Sequence, residues 1–140
     1  MKTGYKVCDA MTERPIIVKP STTLQECAKI MQENHIGSLV VKDNHKPKGI
    51  LTEQDIVRKA VIFGGNVGDI TVEKIMETNL MTISPEKDIF EALILMRDYN
   101  IRHLPVMDEE KMIGFVTSKD ILKMAPDMFN ILMEKYDIGR

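Results

Sequence analysis

Two stretches of this chain carry residue types suited to reading a sugar and a phosphate. One is Gly49-Ile50-Leu51-Thr52-Glu53-Gln54-Asp55-Ile56-Val57 and the other is Gly114-Phe115-Val116-Thr117-Ser118-Lys119-Asp120-Ile121-Leu122. Each runs from a glycine through an apolar pair to Thr-x-x-Asp and then into an apolar helix start. Two chemistries fit that spacing. In the first, Thr52 or Thr117 caps a helix and Asp55 or Asp120 reaches back to the threonine N–H, a capping box whose loss costs about 1 kcal/mol. In the second, the carboxylate accepts hydrogen bonds from a ribose diol, as the acidic residue of dinucleotide-binding folds does. The threonine hydroxyl and the helix N-terminus then face phosphates. For one copy alone, the cap is the better explanation.

A second candidate is Ile101-Arg102-His103-Leu104-Pro105. The plain reading is a solvated Arg-His pair at a strand start. The functional reading is phosphate capture, because a guanidinium offers a planar fork to phosphate oxygens and an imidazole donates or switches with pH. The matching places upstream hold Ile36, Gly37 and Ser38, and Lys119 stands where the first copy has Gln54. The two halves are therefore expected to be unequal, with the second better suited to an anionic ligand.

These stretches are placed by a duplication. Sliding the chain by 65 residues aligns 7–60 with 72–125 without a gap, and 15 of those 54 positions are identical. Repeats of this kind signal one supersecondary unit used twice. Each copy opens with a short helical turn, Val7 to Met11 and Val72 to Met76. An extended segment follows, Ile16-Ile17-Val18 and Met81-Thr82-Ile83, and stops at Pro20 and Pro85. Leu24, Cys27, Ala28 and Met31 then give a helical stripe, repeated by Ile89, Ala92, Leu93 and Met96. Strands are expected over Ser38 to Lys42 with Gly49 to Thr52, and over His103 to Met107 with Ile113 to Thr117, each pair a hairpin. A final helix follows each threonine, so the unit is βαββα. Gly64-Gly65-Asn66-Val67-Gly68-Asp69 reads as a flexible connector. Pro126 suits the first turn of one more helix, to about Tyr136, with Met128, Ile131, Leu132 and Tyr136 as its apolar stripe.

The composition narrows the classes. Hydrophobic residues make up 44% and charged residues 29% of 140 residues, which suits a globular chain and excludes a disordered one. A net charge of -2 gives no global case for nucleic acid. No apolar run spans a bilayer, and Met1-Lys2-Thr3-Gly4-Tyr5-Lys6 lacks the core of a signal peptide. Cys8 and Cys27 make no disulfide framework, so a reducing cytoplasm is expected. His35, His45, His103 and the cysteines show no metal-ligand spacing. No nucleophile–base motif appears, so no catalytic residue is assigned and the chain reads as a binding module, not an enzyme.

The βαββα unit, its duplication, the Ile36-Gly37-Ser38-Leu39-Val40-Val41 and Ile101-Arg102-His103-Leu104-Pro105-Val106 strands, and the two Gly-h-h-Thr-x-x-Asp endings resemble the CBS domain, whose tandem pair is a Bateman module. The resemblance covers about residues 7 to 125. It implies an α+β fold of two βαββα motifs, at 7–63 and 71–125, packed sheet to sheet about a pseudo-two-fold axis, with a linker at 64–70 and a C-terminal helix at 126–140. It also implies adenosine ligands (AMP, ADP, ATP or S-adenosylmethionine) with no required cofactor, a homodimer, and a protein partner that reads the ligand state. Asp55 and Asp120 are implied for ribose, and Thr52 and Thr117 for phosphate or ribose. The adenine slots implied are Pro15, Ile16 and Ile17 with Ile36 and Ile50, and Leu80, Met81 and Thr82 with Ile101 and Phe115. The rival expectation is an assembly module whose clefts are vestigial.

Overall fold

The structure is a computed structural model that describes residues 2–44 and 46–133. In chain order the elements are α1 (Val7–Ala10), β1 (Ile17–Val18), α2 (Leu24–Asn34), β2 (Ser38–Asp43), β3 (Lys46–Thr52), α3 (Glu53–Asp55), a π-helical segment (Ile56–Ala60) and α4 (Val61–Phe63). A 3-10 turn (Val72–Lys74), α5 (Ile89–Tyr99), β4 (His103–Asp108), β5 (Lys111–Thr117), α6 (Ser118–Met124), a 3-10 turn (Pro126–Met128) and α7 (Phe129–Met133) complete the α+β set.

The chain forms two compact units whose borders are offset from the repeats. One holds Pro15–Leu80, and the other holds Met1–Arg14 with Met81–Arg140. The opening turn of each repeat thus packs with the body of the other repeat. In the unit of residues 15–80, Val72 N donates to Thr22 O at 2.8 Å and Leu24 N to Ile70 O at 2.9 Å. In the other unit, Val7 N donates to Lys87 O at 2.8 Å and Ile89 N to Tyr5 O at 3.0 Å. Val72 and Val7 are fully buried in their respective cores. The glycines that open the two Thr-x-x-Asp stretches are explained by the same packing. A Cβ on Gly49 would lie 2.5 Å from Met76 Sδ and 3.0 Å from Glu77 O, and one on Gly114 would meet Met11 Sδ. Ile50 N donates to Glu77 O at 3.0 Å and Glu77 N to Ile50 O at 2.9 Å, and Phe115 and Thr12 exchange the same pair at 3.0 and 2.8 Å. Glycine is needed where another backbone comes this close.

In the unit of residues 15–80, β1 runs parallel to β2, and β2 pairs antiparallel with β3. Among the described residues of the other unit only β4 and β5 form a ladder, and the expected strand Met81-Thr82-Ile83 is reduced to one bridge, Ile83 to Val106. Pro105 is the reason. Its counterpart Val40 donates its N–H to Ile16 O at 3.2 Å. Proline has no N–H to give, so that rung is lost. Both hairpins turn tightly, with Asn44 at φ 60 and Glu109 at φ 57. The strands reach closer to the turn than the sequence pattern suggested, beginning again at Lys46 and Lys111. His45, in the first turn, lies outside the described residues.

Three further expectations are adjusted. The Gly64–Asp69 connector is a hydrogen-bonded turn rather than a loose tether: Asp69 N donates to Asn66 O at 2.8 Å and Gln25 N to Val67 O at 3.1 Å. Ala28, assigned to the buried stripe of α2, is exposed, whereas its counterpart Leu93 on α5 is buried. The C-terminal helix begins as a 3-10 turn and bends onto its own unit, burying Met128 and packing Ile131 on the core. It has a job there: α5 is apolar on nearly every face, while α2 turns Gln25, Glu26, Lys29, Gln32 and Glu33 outward. The side chain of Leu132 and the whole of Tyr136 lie outside the described residues. Among the described residues no helix is long and apolar enough to cross a membrane.

Two outcomes follow from this packing. Val72→Ala should lower the unfolding free energy by about 2 kcal/mol in urea denaturation, although Val72 belongs to the other repeat from most of the core it fills. Burial, with a smaller push from Glu26, raises the Cys27 thiol to about 11. Mass spectrometry after iodoacetamide treatment of the folded protein at pH 8 should find Cys8, which is partly exposed, alkylated and Cys27 protected.

Candidate functional site

Both Thr-x-x-Asp stretches form complete capping boxes. Asp55 N donates to Thr52 Oγ1 at 3.2 Å, and Thr52 N donates to Asp55 Oδ2 at 3.0 Å. Asp120 and Thr117 repeat those bonds at the same distances. The helix-cap reading is therefore realised twice. It leaves room for ligand chemistry, because each threonine hydroxyl accepts there and keeps its own proton to donate, while Oδ1 of each aspartate takes no part in the cap.

The strand register brings the remaining residues beside these caps. Ser38 pairs with Thr52 and His103 with Thr117 across their hairpins. Glu53 N donates to Gly37 O at 3.0 Å, and Ser118 N donates to Arg102 O at 2.9 Å. Gly37 and Ser38 thus adjoin Thr52 and Asp55, and Arg102 and His103 adjoin Thr117 and Asp120. Ile50, on β3 of the first hairpin, is buried, with Pro15, Ile16 and Ile36 partly covered and Ile17 exposed. In the second, Leu104, Pro105 and Phe115 are buried, and the Phe115 ring stacks with the His103 ring at 6.0 Å and 16°. Ile101 and Met81 are partly covered and Thr82 is exposed. Leu80, assigned with that set, is the last residue of the other unit.

The two halves differ more than the sequence indicated. The expected contrasts are present: Arg102 and Lys119 are exposed in one half, and Gly37 and Gln54 stand in their places in the other. A contrast that sequence reasoning missed concerns Glu53, whose carboxylate lies over Gly37, 3.4 Å from where a Cβ would sit. Its counterpart is the small, buried Ser118. A second missed residue is Lys59. Its Nζ lies 3.4 Å from Asp55 Oδ1 and donates to Ile75 O at 3.1 Å. The counterpart of Lys59 is Met124, and among the described residues nothing pairs with Oδ1 of Asp120. The i,i+4 spacing of Asp55 and Lys59 was the available signal. Among the described residues, no group of three or more His, Cys, Asp or Glu side chains is arranged to hold a metal ion.

Comparison with known proteins gives a consistent family. The CBS domain model matches residues 7–62 and again 67–127. An uncharacterised protein of Methanopyrus kandleri is 38% identical over 118 residues, 83% of this chain and 60% of that protein. A CBS domain-containing protein of Bacillus subtilis is 32% identical over 115 residues, 82% of this chain and 81% of that one. The chain thus spans less than two thirds of the first relative and most of the second. Among solved structures, a CBS domain pair in complex with 5′-methylthioadenosine and S-adenosyl-L-methionine matches with a TM-score of 0.77 and 31% identity. That match covers 86% of this chain and 98% of that one.

Proposed function

The chain belongs to the CBS domain family, and on that premise we propose that it is a regulatory module, not a catalyst, that binds an adenosine ligand and signals its presence to a protein partner in the cytoplasm. The observation that carries this reading is the cap carboxylate of Asp120: one oxygen is fixed by Thr117 N, and the other faces no partner among the described residues. A carboxylate held in place with spare acceptor capacity suits a ribose diol. Arg102 and Lys119 offer charge for a phosphate or a sulfonium-bearing tail's carboxylate, and the Thr117 hydroxyl has a proton to donate. Phe115, stacked with His103, offers an apolar wall for adenine, and Ile101 and Met81 are partly covered. Asp55, Thr52, Ser38, Gly37, Gln54, Ile16, Ile17, Pro15, Ile36 and Ile50 are the corresponding set of the first half. The adenosine compounds bound by the related domain pair make AMP, ADP, ATP and S-adenosylmethionine the ligands to try first.

An additional role in assembly has its own support. Val57, Val61, Ile62 and Phe63 are 64%, 72%, 83% and 62% exposed along one helical stretch. Apolar side chains concentrated in this way favour a protein interface, here a homodimer.

A thermal-shift and calorimetric panel of the four ligands tests the reading. A ligand at 100 times its dissociation constant should stabilise the fold by about 2.7 kcal/mol. Asp120→Ala should abolish that gain, and Arg102→Ala should weaken AMP binding more than adenosine binding. No response to any adenosine compound would leave the assembly role standing alone.

A further inference from the structure

We propose that Lys59 is an internal occupant of the first half, closing Asp55 to a diol, so that one chain takes one adenosine ligand, at Asp120. This rests on the ligand reading above and adds to it the residue that sets stoichiometry. Asp55 and Asp120 have the same backbone cap to the tenth of an ångström. They differ in what meets the other oxygen. At Asp55 that is the Lys59 ammonium, 3.4 Å away, with the Asp55 side chain 17% exposed. The ammonium is anchored a second time by the carbonyl of Ile75 at 3.1 Å.

The backbone differs at the same point. Lys59 lies in the π-helical segment Ile56–Ala60, whereas Met124 ends a regular α-helix. Such segments are uncommon and tend to sit at sites with a role beyond packing. A diol that approaches Asp55 has to share or displace the ammonium and meets a carboxylate whose charge is already matched. The strength of a charge-assisted hydrogen bond depends on that charge. Glu53, lying over Gly37, adds a second carboxylate where the other half has Ser118 and Arg102, and so repels a phosphate. The first half is thus closed twice, against the sugar and against its anionic tail.

The test is calorimetry of the full chain with AMP and with uncharged adenosine, on five variants with folding checked by circular dichroism. The wild type should bind one adenosine or AMP per chain, lost in Asp120→Ala and kept in Asp55→Ala. Lys59→Met and Lys59→Ala should each add a second binding event for adenosine, at least tenfold tighter than any at that half in the wild type. The reciprocal Met124→Lys should carry the block across and weaken the Asp120 event about tenfold. If the wild type binds once and both Lys59 variants still bind once, the inference fails and the ligand reading survives. Two equal events in the wild type, or weaker binding in the Lys59 variants, would overturn it as well. No binding by the wild type or by either Lys59 variant would remove both.

Discussion

The hairpins of this protein depend on a backbone exchange that only glycine permits. Ile50 trades two hydrogen bonds with Glu77, and Phe115 trades two with Thr12. In each case the residue before, Gly49 or Gly114, faces a methionine side chain at a distance that leaves no room for a Cβ. The partner segment always comes from the other repeat. The duplication in the sequence is therefore not a pair of independent folds. Each repeat hands its opening turn to the unit built on the other, which places Val72 and Ile75 in one core and Val7 in the other. Repeats of this size are marginal as independent folds, and the exchange builds each core from residues of both repeats.

On that frame the two caps are identical, and the chemistry is set by what surrounds them. One carboxylate adjoins Arg102, His103, Lys119 and the small Ser118. The other adjoins Gly37, Gln54, the carboxylate of Glu53 and the ammonium of Lys59. A gene duplication begins with equal halves. Here a handful of substitutions next to an unchanged cap leaves Arg102 and Lys119 exposed in one half and pairs Asp55 with Lys59 in the other.

The sequence revealed the fold readily. The 65-residue offset, the helical stripes and the paired apolar strands located α2, α5 and both hairpins. The capping boxes were also legible, because Thr-x-x-Asp before an apolar run is a local signal. What escaped was non-local or depended on a missing atom. The offset between units and repeats follows from long-range pairing that no periodicity encodes. The lost rung beside β4 comes from Pro105, visible as a residue but not as a partner for Met81. The fold of Pro126–Met133 back onto α5 follows from the apolar outer face of α5, a demand that the C-terminal segment does not itself display. In the site, the contrast of Arg102 with Gly37 was readable directly. The reach of Lys59 to both Asp55 and the Ile75 carbonyl needed the structure.

The proposed role of Asp120 is that of a ligand-reading carboxylate rather than a cap alone. The most direct measurement is a titration of isotope-labelled protein with AMP, following backbone amide resonances by NMR. That role predicts saturable shifts at Thr117, Asp120 and Arg102, with Thr52 and Asp55 little changed. Saturation with shifts confined to Thr52 and Asp55, or no saturable shift at either aspartate, would contradict it.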